Sequence, residues 1–405
     1  MTETRVSRGA RLRLGTIDGD LRVERGAVLE AEGRIVVTGE ARFEGNVEVS
    51  GDLECREYSS EDGTVRISGS LTVQRSLRAD DGSVHVGGSL TAERVDVDRE
   101  LHVKGPATAR EFEVGGALDG ESSLTAEQVS VGGRLRLAGK LEARTVEAGG
   151  TVDLTEVALE KLEVGGLVHL GGGEVRGSID VGGRFVAEAP LKFGSLEVGG
   201  VAEFKGDGTG GSIDIGGMLT ARGNLTFTTL EIGGIGSIAG SGKGDNVDIG
   251  GKFDVRGALT LSRSLEVGGA VSIGEALTGD HLEIGGSLEA RRAVFQGSAE
   301  IGGAVRTREG LKAATIELER KSRAIGPLVG GRVELGRGAR AEDLYGTIVE
   351  LRSKAEARRI CAERVRLEDG ADVGEVVYSV DLQMDRGVRL RTPAQRVSTL
   401  PPFPL

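Results

Sequence analysis

The sequence predicts an all-β chain wound as a three-sided parallel β-helix, a β-solenoid with about 17 residues per turn. Three observations predict it. Gly supplies 68 of the 405 residues, while Pro supplies 7 and Trp none; an average protein has roughly 7% Gly. The dipeptide Gly-Gly recurs after an apolar–any–apolar triplet, and its spacing from Gly115 to Gly302 is nearly constant, at about 17 residues. Apolar residues also come in pairs spaced by two, which puts both members on one face of a strand. No 3.6-residue period competes, and the G-x-y period of collagen is absent.

The segment GGMLTARGNLTFTTLEI, residues 216–232, shows the grammar of one turn. Its apolar pairs are Leu219/Ala221, Leu225/Phe227 and Leu230/Ile232, and Gly236 takes the next slot. Steps of six, five and six residues separate the pairs. Three short strands per turn, each sending two side chains inward, describe a triangle. The Gly-Gly pair marks one corner, as at Gly132 and Gly133, Gly182 and Gly183, Gly216 and Gly217, Gly250 and Gly251, and Gly285 and Gly286. Two needs for Gly are expected there: backbone angles barred to residues with a Cβ, and stacking of turn on turn without side-chain clash. A phosphate loop would need GxxxxGK[ST], or GxGxxG leading into a helix, and the sequence has neither.

In chain order, residues 1–11 read as a short lead-in. Residues 12–392 read as a single continuous rod, with regular Gly-Gly repeats over 84–331 and looser ones at both ends. Before the regular part the pairs are Leu21/Val23, Ile35/Val37, Val47/Val49, Val65/Ile67 and Leu71/Val73. After it come Val333/Leu335, Val349/Leu351, Val365/Leu367 and Val388/Leu390. Two intervals, Gly87 to Gly115 and Gly302 to Gly330, are longer than one turn by two sides of the triangle. The Gly corner is therefore expected to move to another edge at both places. Roughly 22 turns at about 4.8 Å each give a rod of about 100 Å. Residues 393–405 hold four of the seven prolines and read as a tail or cap, because Pro cannot extend a hydrogen-bond ladder.

Composition narrows the function. The net charge is −12, whereas nucleic-acid binders are basic, so no nucleic-acid partner is expected. Aromatic residues make 3% of the chain, too few to line a large cleft. Cys55 and Cys361 do not suggest a disulfide framework, and a reduced, cytoplasmic setting is expected. The opening MTETRVSRGA has no signal-peptide pattern, and no run of ~20 apolar residues could span a membrane.

The residue before the last apolar one of each Gly corner forms a second pattern. It is Glu113, Ser130, Glu147, Glu163, Asp180 and Glu197, then Asp214, Glu231, Asp248, Glu266, Glu283 and Glu300. Stacked at ~4.8 Å, neighbouring unit charges repel by about 0.9 kcal/mol even in water. The ladder reads first as a solvated face that prevents lateral sticking, and second as a strip for divalent cations or a basic partner. His85, His102, His169 and His281 are scattered, without metal-ligand or catalytic spacing. No catalytic residue, cofactor or dedicated metal site is expected, and the chain does not read as an enzyme.

The patterns GTIDGDLRVERGAVLEAEGRIVVTGEARFEGNVEVSGDLEC at 15–55 and LEIGGSLEA at 282–290 resemble those of bactofilins, a polymer-forming cytoskeletal family. The resemblance implies a right-handed β-helix that assembles end to end into filaments without nucleotide, its main partner being itself. Other proteins recruited to the filament would be secondary partners. Some members carry a hydrophobic membrane-targeting motif that MTETRVSRG does not match, which speaks against membrane attachment. Hydrophobic residues near a helix end support polymerisation in the family. By position, Phe403 and Leu405 are the candidates, with Leu21, Val23, Val388 and Leu390 near the expected open ends. The alternatives are a binding or adhesin module using the coil as a spacer, and a carbohydrate-active β-helix enzyme. The first would bring an export signal or attached domain. The second needs long loops building a cleft, and the central intervals leave no room for one.

Overall fold

Alternation of aliphatic and polar residues sends every second side chain inward, and Gly or polar residues between the pairs turn the chain. The computed structural model describes residues 2–404, apart from the Glu32 side chain. Among them are 45 strands and no helix. Two compact units, Met1–Gly200 and Val201–Leu405, are each built as a β-solenoid.

In the first unit, strands Glu100–Val103, Ala107–Thr108 and Glu111–Val114 make one turn. Each pairs in parallel with its equivalent in the next turn: Glu100 with Ala117, Ala107 with Leu124, Glu111 with Gln128. Three strands per turn therefore stack into three parallel sheets. The second unit repeats this, with Met218 paired to Ile235, Leu225 to Gly242 and Thr229 to Asn246. The six inward residues of that turn, Leu219, Ala221, Leu225, Phe227, Leu230 and Ile232, are all buried. Gly236 makes room for the inward ring of Phe253, its partner in the next turn. A Cβ on Gly236 would lie 2.7 Å from Cδ2 of Phe253.

The coil starts earlier than the sequence reading placed it. Glu3–Val6 pairs with Asp20–Val23, so residues 3–6 of the expected lead-in already form the first turn. Val6 is inward and buried, and Gly9 at φ +70° turns the chain after it. The early turns are longer, with Leu21 paired to Ala41 and Tyr58 to Leu77. Their extra residues form corners in left-handed conformation, including Gly51 at φ 109° and Asp62 at φ 52°.

Both long Gly-Gly intervals reflect a change of edge. Gly115 stacks on Asp98, which holds the same corner without Gly, whereas Gly87 lies on another corner and is followed by Lys104 and Gly105. Gly302 is followed one turn later by Glu319, while Gly330 pairs with Ala313 on a different sheet. The Pro-rich tail folds back along the side of the second unit. Gln395–Arg396 pairs with Val377 and Tyr378, and Val397, Leu400 and Phe403 pack on Val329, Tyr345, Cys361 and Val377.

Candidate functional site: ladder, corners and ends

The strand registers build the acidic ladder directly. In the first unit Asp96, Glu113, Ser130, Glu147, Glu163, Asp180 and Glu197 face out in one column. In the second the column runs Asp214, Glu231, Asp248, Glu266, Glu283 and Glu300, and continues through Glu317, Glu334 and Glu350 to Arg366. In each unit some members are neutralised by neighbours, Glu163 by Lys161 among them. Arg94 bonds Glu113 at 2.9 Å, Arg352 bonds Glu334 at 2.7 Å, and Arg332 bonds Glu350 at 2.8 Å. Among the described residues, no basic side chain pairs with the six carboxylates from Asp214 to Glu300. Asp96, at the start, has its carboxyl pushed up by burial first and then by Glu113. The ladder is a line and not a cage: no three His, Cys, Asp or Glu side chains converge on a metal-sized space among the described residues.

The Gly corners show which of the two needs for Gly applies. None of Gly132, Gly133, Gly182, Gly183, Gly216, Gly217, Gly250, Gly251, Gly285 or Gly286 has positive φ. The expectation of special backbone angles is therefore corrected. Close stacking is what requires Gly. A Cβ on Gly183 would sit 2.5 Å from the carbonyl oxygen of Gly166, and one on Gly182 would sit 2.6 Å from that of Gly165. The second Gly is the tighter position further along: Cβ atoms on Gly251 and Gly286 would overlap the carbonyls of Gly234 and Gly269, while Gly250 and Gly285 leave 3.0 and 3.4 Å. Gly216 and Gly217 supply the carbonyls beneath Gly233 and Gly234.

Three of the four histidines share one column, while His281 stands apart in the second unit, paired with Ser264. His85 and His102 lie one turn apart, and the same outward column continues through Asp119, Arg136 and Asp153 to His169. The signal was the period itself, since positions 85 and 102 differ by one turn. The rings of His85 and His102 meet edge to face at 5.8 Å. Beside them Glu48, Arg66, Lys104 and Asp119 bound an open basin of about 730 Å³. Burial, then Arg66 and His102, lowers the His85 imidazole pKa. His169 is the reverse: Glu188 at 2.7 Å and Asp153 at 3.2 Å raise it.

At the N-terminal end, Arg11–Ile17 pairs among the described residues only with the turn above it, and Leu12 is 41% exposed. Leu21 and Val23, expected at this edge, are fully buried, because Thr4 and Val6 cover them. At the C-terminal end, the strand Asp372–Met384 pairs inward along its length. Among the described residues, its outer edge carries partners at Asp372–Gly374 and at Val377–Val380, the last two through the Arg396 side chain. Val380 and Met384 are about half exposed, and the sequence reading missed both. Val388 and Leu390 lie half-buried beside this edge, in the last partial turn. Phe403 is not at the end but on the side, its ring 5.7 Å from that of Tyr345. Leu405 falls outside the described residues. No helix of the described residues is long and apolar enough to cross a membrane. No family model, curated protein or solved structure matches the chain.

Proposed function

We propose that the protein is a structural, self-assembling element whose copies join end to end, as the resemblance to bactofilins implies, in a cytoplasmic setting. The observation that carries this reading is the outer edge at Asp381–Met384, unpaired among the described residues, with the apolar side chains of Val380 and Met384 exposed beside it. Such an edge templates addition of another strand. The N-terminal strand Arg11–Ile17 offers a second edge with Leu12 exposed. Both edges come from the parallel sheets that build each unit, so joining needs no nucleotide. Negative-stain electron microscopy of the full chain tests the reading, with filaments expected at physiological salt. Val380→Asp with Met384→Asp should shorten or abolish them. A strictly monomeric wild-type protein at high concentration overturns the proposal.

A further inference from the structure

Outward columns of these coils are mostly polar or charged; Val201, Met218 and Ile235 make one apolar column that stays exposed, and a second apolar column is covered. Val329, Tyr345, Cys361 and Val377 face outward on four successive turns, in register with one another. They are buried nonetheless, at 5, 9, 0 and 5% exposure. Val397, Leu400 and Phe403 of the tail cover them. Burial under this cover also raises the Cys361 thiol pKa.

The cover is lightly attached. Gln395–Arg396 is its only strand pairing among the described residues. Val397 donates its N–H to Tyr378 O at 2.8 Å, and the Arg396 guanidinium reaches Ser379 O and Val380 O at 3.4 Å. Beyond that point Pro401, Pro402 and Pro404 cannot donate to a ladder. Among the described residues, side-chain packing alone holds residues 398–404. Pro393 lies in the short connection between the last partial turn and the tail.

We infer that the column Val329–Tyr345–Cys361–Val377 is an interaction surface for the tail of a second copy, exchanged for the chain's own. The occupant follows from the page: residues 397–403 already fit this column, and every copy carries them. An exchanged tail makes the same contacts as the resident one, so exchange costs little beyond the association itself. Higher protein concentration therefore favours it by mass action. The inference rests on the self-assembly reading only in naming a second copy as partner.

A covalent trap tests it in the full chain. Leu400→Cys places a thiol on the cluster that holds Cys361, and mild oxidation then records which tail lies there. A resident tail gives an internally bridged single chain, and an exchanged tail gives a bridged dimer. Bridged dimer should increase with protein concentration before oxidation, and should vanish when Cys361→Ser is added. Cys55, buried in the first unit with its thiol pushed up to about 12, stays unreactive and serves as the internal reference. As a second measurement, Phe403→Asp should raise alkylation of Cys361 severalfold while leaving Cys55 protected. Single-chain bridges alone at every concentration overturn the exchange. Dimers that survive Cys361→Ser, or no bridge of either kind, overturn the assignment of the surface. Microscopy of the unmodified protein reads filaments separately, so exchange without filaments and filaments without exchange are distinguishable.

Discussion

At the scale of single residues, the Gly corners separate two explanations that look alike in sequence. The pair Gly285–Gly286 has ordinary φ values, so backbone freedom is not what it supplies. Gly286 leaves no room for a methyl group over the carbonyl of Gly269, whereas Gly285 leaves 3.4 Å. Gly286→Ala should therefore destabilise the turns around it by about 1–3 kcal/mol. Gly285→Ala should stay within about 0.5 kcal/mol. Amide hydrogen exchange over residues 265–305 reads both, because each turn answers mainly to its neighbours. Equal effects would show that position within the pair does not matter. The histidines give a second test of opposite signs. An unfolded His titrates near 6.5. His169 titrates above that when folded, so its stabilisation is complete below about pH 6.5 and fades as pH rises through the raised value. His85 titrates below it, so its stabilisation is present at neutral pH and is lost as pH falls from about 6.5 through the lowered value. NMR titration of the two imidazoles should place them on either side of the ordinary value. His169→Gln should remove the alkaline loss only.

At the scale of elements, the repeat makes the strands, their parallel pairing and the ladder legible in the sequence. The paired spacing of Leu219/Ala221 or Leu230/Ile232 leaves one choice of inward face, and burial follows it. The reading stopped where the chain departs from that rule. Residues 3–6 were read as a lead-in because one inward Val is too little pattern to show a strand. The prolines mark 393–405 as a tail or cap, but its folding back is not legible, because its binding column is an exception to outward polarity. Its signal was nevertheless present. Leu328-Val329, Leu344-Tyr345, Ile360-Cys361 and Val376-Val377 are apolar doublets recurring once per turn, an inward residue followed each time by an outward one. The ladder yields the prediction at this scale. Six stacked carboxylates without basic partners repel one another, and salt screens that repulsion over a Debye length of ~8 Å at 0.15 M. Raising salt should slow amide exchange in the strands around Asp214–Glu300. Millimolar Mg²⁺ or Ca²⁺ should do so more strongly at equal ionic strength if the ladder condenses divalent cations. A response to ionic strength alone would assign it to screening.

At the scale of the whole molecule, charge and edges act together. On the proposed reading, the net charge of −12 opposes association of copies, while the exposed apolar side chains of Leu12, Val380 and Met384 would favour it. Assembly should therefore depend on salt as well as on the apolar ends. Filament length, measured by microscopy, should increase between low and physiological ionic strength. The parallel pairing has a mechanical consequence too. In either unit, a pull on the chain terminus strains the hydrogen bonds of one turn before those of the next. Each turn that yields frees the chain between paired strands, as from Glu100 to Ala117 or from Met218 to Ile235. Extended, that length is roughly 55 Å. A single-molecule force trace should show a staircase of nearly equal steps, so that each unit behaves as a ruler graduated by its own repeat.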